Sequence, residues 1–309
     1  MTLWRHWIVG QIDASIAAAV LLAVAVLLRH RLSPSVRSFI LLMALIRLAL
    51  PPWVRSPWSE ALVDIPPIDD GRTLIAMGLQ SDIAMIAAAI SATVSIVLFA
   101  RIAWTFITAE HRWLATTSPV PAVWIEGAEI RLSDNEGPLA VGMRRPLIVL
   151  PASAMKLDRD ALDAVIAHEL AHHCRRDLWW IAVAEALRAI AWFNPLAHLA
   201  ARALVASRED GSDDWAVRKT SNDPFSYAQA LLQSARLVAS PQPLGVAGAH
   251  PMGKRLRRLL DSGATRDGQP GAAAIVLLIV CAALAIPGAH MPSPSDGDDQ
   301  RIVIVIKKP

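Results

Sequence analysis

Long apolar runs are what most constrain this chain. Ile8 to Leu28 is apolar but for a few residues such as Gln11 and Asp13, and at about 1.5 Å per residue it just crosses a hydrocarbon core of roughly 30 Å. Arg29-His30-Arg31 follows it directly with no small-residue cleavage site, which favours a retained anchor over a signal peptide. Ser38 to Val54 is a second run, interrupted by Arg47 and ended by Pro51-Pro52. Ile83 to Ile107 and Ala272 to Gly288 make a third and a fourth. The whole chain is 54% hydrophobic with a mean hydropathy of +0.40, too apolar for an ordinary soluble protein of 309 residues. The expectation is a mainly α-helical membrane protein with about four transmembrane helices, at 8–28, 38–54, 83–107 and 272–288.

Charge sets the expected orientation. The loop from Arg29 to Arg37 carries three arginines, whereas Arg55 to Asp82 is rich in Asp, Glu and Pro. By the positive-inside rule the first loop is cytoplasmic and the second is outside. The three-span region 1–107 then starts outside, 108–271 is a cytoplasmic domain, and 289–309 is a short extracytoplasmic tail. The net charge of +3 is accounted for by residues flanking spans, and no basic run interleaved with aromatics points to direct nucleic acid binding. The bilayer is the partner this composition predicts. Cys174 and Cys281 lie too far apart to suggest a disulfide framework.

The cytoplasmic segment opens with short β-like runs at 123–125, 130–132, 139–141 and 147–150, separated by Gly, Asn, Asp and Pro. They predict a small antiparallel sheet. Asp158 then suits an N-cap before a helical pattern through Leu170. That helix carries His168-Glu169-x-x-His172. Residues four apart on a helix are displaced by about 40° and one turn, so both imidazoles reach a single ion and Glu169 lies close enough to hold a water. Leu178 to Phe193 is strongly apolar but includes Glu185 and Arg188, and reads as a buried or membrane-surface helix. Asn194-Pro195 breaks it and starts the next.

Catalytic zinc needs three protein ligands and one open position. The long motif with a third histidine six residues on is absent, since that position is Leu178. The third ligand is then a glutamate on a later helix, Glu185 or Glu209. Glu185 can pair with Arg188, while Glu209 has Asp213 one turn on, placed to accept the free N–H of a ligating histidine. Glu209 is therefore the expected ligand and Asp213 its support, with one zinc ion and Glu169 as general base. Tyr227 and His250 are candidates for stabilising a tetrahedral oxyanion. Substrate backbone could add to an edge strand, which the sequence alone does not identify.

These residues resemble the BlaR/MecR-type membrane metallopeptidases. The likeness rests on Gly137-Pro138-Leu139-Ala140-Val141-Gly142, on Pro146 to Pro151, on His168 to Asp177, on Trp192-Phe193-Asn194-Pro195, and on Arg208-Glu209 followed by Asp213-Asp214. The resemblance implies a cytoplasm-facing α+β zincin domain of the gluzincin type, related to the HtpX-type membrane proteases. It also implies a bacterial inner membrane location, His168, His172 and Glu209 on zinc, and Glu169 as the catalytic group. The expected function is cleavage of a protein substrate, a transcriptional repressor or anti-repressor, in signal transduction. A non-catalytic transducer with a zincin fold and a quality-control protease are the alternatives. The β-lactam sensors of that family continue into a penicillin-binding domain, which the short tail leads us to expect is lacking here. The run Arg301 to Ile306 would be either a strand paired with a partner or a disordered tail.

Overall fold

The computed structural model describes residues 3–51, 73–134, 137–220, 223–237, 252–268 and 271–285. The N-terminal part comprises helices α1 (Leu3–Leu27), α2 (Pro34–Ala49) and α3 (Thr73–Thr116). Four strands follow: β1 (Ser118–Ile125), β2 (Ala128–Ser133), β3 (Leu139–Val141) and β4 (Leu147–Pro151). After a 3-10 turn come α4 (Arg159–Cys174), α5 (Asp177–Ile190), α6 (Pro195–Thr220), α7 (Pro224–Leu237), α8 (Met252–Leu260) and α9 (Ala272–Ala285).

Among the described residues two stretches are long and apolar enough to cross a membrane, Gly10–Leu27 in α1 and Met85–Thr116 in α3. The other two expected spans are shorter helices of 16 and 14 residues, α2 and α9. The Ser33 hydroxyl accepts from the Val36 N–H to start α2, with Pro34 at its first position, where no N–H is needed. Leu50 is already extended because Pro51 disfavours a helical residue before it. Arg47, fully buried, makes an ion pair with Asp13 of α1. A charge among apolar side chains costs several kcal/mol unless paired, and this pair fixes α2 against α1.

The sheet order is β1-β2-β4-β3. It is mixed, not antiparallel as its short runs suggested: β1–β2 and β3–β4 are antiparallel, but β2 and β4 run parallel, Glu129 opposite Leu147 through Ser133 opposite Pro151. The local signals are correct and only the join between them escapes the sequence. Glu126 and Gly127, both at positive φ, close the first hairpin as the two central residues of a tight turn. Gly142, at φ +86, closes the second, where a Cβ would sit 2.0 Å from the Arg145 carbonyl oxygen. What pairs across hairpins is decided by burial. All five residues of β4 are buried, so this strand takes a central place, while Pro119-bearing β1 takes an edge.

Among the described residues two large hydrophobic cores form, beside a small cluster of Trp113, Val141 and Val149. One holds Leu21, Ile40, Leu45, Ala184, Ala200, Leu204 and Cys281, contributed by α1, α2, α5, α6 and α9. The other holds Ile130, Ile148, Leu150, Val165, Leu170, Tyr227 and Leu259, from the sheet, α4, α7 and α8. Helix α6 passes from the first, at Ala197 to Leu204, into the second, at Ala216. Segment 108–271 is thus packed directly onto the helices that surround it in sequence. The loop 55–72, His250, residues 286–288 and the tail 289–309 with its Ile/Val run lie outside the described residues.

Candidate metal centre

Asp158 caps α4, its carboxylate accepting from the Ala161 N–H at 2.8 Å. The helix buries Ala161, Ala164, Val165 and Leu170 against the sheet, and this puts His168 and His172 on its neighbouring face, toward α6. His173, pointing elsewhere as its position on the helix requires, donates from Nε2 to the Leu147 carbonyl of β4 at 3.0 Å and ties α4 to the sheet. The imidazoles of His168 and His172 stand edge to face with centroids 4.9 Å apart.

Glu209 of α6 faces both rings. Its carboxylate oxygens lie 3.5 Å from His168 Nε2 and 3.7 Å from His172 Nε2. One donor atom from each of the three residues falls within 4.8 Å of the others, so the set could hold a metal ion. Two nitrogens and an oxygen around 2.0–2.2 Å from a common centre would be separated by about 3.3–3.6 Å in tetrahedral geometry. The donors present fit a zinc-like ion in type and spacing.

Each ring is fixed from behind. His168 Nδ1 lies 3.1 Å from Asp213 and His172 Nδ1 lies 3.0 Å from Asp177. With Nδ1 donating to its carboxylate, each neutral ring directs Nε2 toward Glu209, and Arg255 Nη2 also lies 3.3 Å from His168 Nε2. The carboxylates are themselves held. Asp213 accepts from Arg255 Nε at 2.9 Å and from the Tyr227 hydroxyl at 3.0 Å. Asp177 accepts from Ser212 Oγ at 2.7 Å and Arg208 Nε at 2.6 Å. Gly211 allows the crossing of these groups: a Cβ there would lie 2.1 Å from the Arg175 guanidinium, which packs against α6 and pairs with Asp267.

The electrostatics follow from burial opposed by charge. Burial pulls His168 toward its neutral form, but its bonds to Asp213 and Glu209 outweigh that and hold it at about 9. His172 is raised as well, the Glu209 charge and the Asp177 bond overcoming desolvation and His168. Desolvation would lift Glu209, yet His172, His168 and Arg255 bring it down to about 2.

Of the residues expected from sequence, His168, His172, Glu209 and Asp213 converge here. Glu169, adjacent on α4, is buried at 6% exposure. Tyr227 is also at the site, but its hydroxyl bonds Asp213 and sits 3.2 Å from His168 Nδ1, on the side of the ring away from Glu209. That contact positions Asp213. Glu185 is bonded to Arg188 at 2.9 Å, as its spacing suggested. Asp177, Ser212, Arg208 and Arg255 were not foreseen. Asp177 follows a helix break at Arg176, in the left-handed region at φ 56, and its only sequence signal is an acid just past the histidines. Arg255 sits in a basic stretch that reads as membrane-flanking charge.

A helix with two histidines a turn apart, a facing glutamate from a second helix and a small sheet alongside is the equipment of a metallopeptidase. Within that class the chain belongs to the BlaR1 peptidase M56 family, which it matches over residues 7–259, a membrane-bound family of peptidases. It is similar to the regulatory protein BlaR1 of Bacillus licheniformis, with 33% identity over 100 residues, 32% of this chain. The match spans 16% of that relative's length.

Proposed function

We propose that the chain is a zinc-dependent integral-membrane endopeptidase that hydrolyses a protein substrate on the cytoplasmic side of a bacterial inner membrane. The observation that carries this reading is the turn of both Nε2 atoms toward Glu209 while each Nδ1 is held by its own carboxylate. His168, His172 and Glu209 are the ligands. Zinc bound there supplies Lewis acidity toward a peptide carbonyl and a water. Glu169 takes the proton of the attacking water and gives it to the leaving amine. Asp213 and Asp177 keep the imidazoles in the ligating tautomer, with Tyr227, Ser212, Arg255 and Arg208 holding them in turn.

The arginines at 29–37 support a cytoplasmic peptidase and a multi-pass arrangement in which α1, α2, α3 and α9 are the membrane helices. The relative named a regulatory protein supports a role in signal transduction, with a transcriptional repressor or anti-repressor as substrate.

Metal content of the purified full chain in detergent tests the site. Wild type is expected to hold about one zinc per chain, and Glu209→Ala well under half of that. Equal content in the two would remove Glu209 from the ligand set. Asp177→Asn keeps the shape but weakens the hold on His172, and zinc affinity is expected to fall about 10–100-fold. Competition with a chromogenic chelator measures it, and an unchanged affinity would leave Asp177 a purely structural part.

A further inference from the structure

Helices α5 and α6 meet at a turn packed against α1. The Asn194 side-chain amide at this turn donates to Ser15 Oγ at 2.9 Å. Ser15 lies twelve residues before the end of α1 at Leu27, a depth of about 18 Å along the helix. The buried Asp13–Arg47 pair is half a turn further in. The inner faces of the two helices, at Ala184, Ala191, Ala197, Ala200 and Leu204, belong to the same core as α1, α2 and α9.

The outer face is apolar and uncovered among the described residues. Trp179, Val183 and Ile190 form one stripe on α5, exposed at 52%, 46% and 48%. Leu199 on α6 is exposed at 49%. Ile12, Ile16 and Val20 of α1, and Ile275, Val276 and Ile279 of α9, are exposed to the same degree around the same core. The ionisable side chains and the turn are satisfied internally, although the buried Trp192 indole N–H has no hydrogen-bond partner among the described residues. Between Leu178 and Ala201 the ionisable side chains are Glu185, Arg188 and His198. Arg188 donates to Glu185 at 2.9 Å and lies 3.3 Å from His198, whose Nε2 reaches the Trp192 carbonyl at 2.7 Å. The turn itself is closed by Asn194 N–H to the Ala191 carbonyl, 2.9 Å, and Leu196 N–H to Asn194 Oδ1, 3.0 Å. Water-free surroundings require that kind of internal closure.

We propose that α5 and the first half of α6 form a hairpin that enters the hydrocarbon beside α1, α2 and α9 and returns to the side it came from, its Trp179–Val183–Ile190 and Leu199 face covered by lipid acyl chains. Glu209 is fifteen residues beyond Asn194, about 22 Å along α6, and returns to the level of the α1–α2 corner. There Arg37 pairs with Asp210, and Ser35 N–H and Oγ donate to Asp267 at 3.1 and 2.9 Å. The candidate metal centre thus lies at the bilayer surface and not on a detached domain. The placement stands whether or not the centre binds zinc.

Spin labels on single cysteines at Val183, Ile190, Leu199, Val276 and Met155, in a Cys174→Ser, Cys281→Ala background of the full chain in phosphatidylcholine nanodiscs, test it. Collision with oxygen is expected to dominate over collision with a water-soluble nickel chelate at 183, 190, 199 and 276, with 190 deepest of the α5 pair, and to be reversed at 155. Chelate dominating at 183 and 190 would place the hairpin in water. Exclusion of both reagents would mean that protein, another segment or a second copy, covers the face. Either result overturns the proposal. Unsubstituted protein gives the independent check: a photoactivatable acyl-chain phosphatidylcholine should label peptides within 178–201 as it labels those within 272–285, and labelling of the second alone would also overturn it.

Discussion

Glu169→Gln is expected to lower peptide cleavage by about 10²–10⁴-fold while zinc content stays that of wild type. Gln keeps the volume and hydrogen-bonding reach of a side chain that is 6% exposed on α4, so the helix and its two histidines should be undisturbed. What it removes is the ability to take a proton from water and deliver it to the leaving amine, a contribution of about 10²–10⁴ in rate. Cleavage of a fluorogenic peptide library by the full chain in detergent, read together with zinc content, measures both. Equal cleavage by the two proteins, zero included, would favour a scaffold that needs the ligands and not the base.

The second large effect is on stability. Asp214→Ala is expected to destabilise the fold by about 3–5 kcal/mol, the cost of stripping a partner from a buried ion pair. Asp214 is fully buried and accepts from Arg258 at 2.9 and 2.6 Å, from Arg266 at 3.1 Å and from the Asp267 backbone N–H at 2.8 Å. Its loss leaves two guanidinium groups without their shared anion beside Asp210 and the α8 helix. Because α8 also carries Arg255 to Asp213, the centre is expected to lose metal affinity in parallel. On a scale of about 2–4 °C per kcal/mol, melting in detergent should fall by roughly 10 °C. Asp223→Ala is the contrast. Asp223 is exposed and caps α7 by accepting from the Phe225 and Ser226 N–H groups at 2.7 and 2.9 Å, so its loss is expected to lower melting far less. Equal melting of the two variants would show that the buried network adds nothing to stability.

That network marks the boundary of what the chain discloses before it is folded. Apolar runs announced the long apolar helices α1 and α3, and four-residue spacing placed His168 and His172 on one helical face, because both signals are local. Glu209 with Asp213 was readable for the same reason: two carboxylates one turn apart share a helix face. The hairpin turns at Glu126-Gly127 and Gly142 were equally local. The parallel join of β2 to β4 was not, since nothing in either hairpin records which of its strands will be central. Nor were Arg255 and Arg258, which by composition alone read as charge beside a span. Folding brings them to Asp213 and Asp214, some forty residues away, and turns surface charge into buried pairs. The sequence by itself determined the membrane class, the donor types and their helical spacing. Only the tertiary structure decided what holds those donors in place and how α6 runs from the membrane-helix core to the sheet core, because pairing of charges and strands distant along the chain depends on the shape that packing makes.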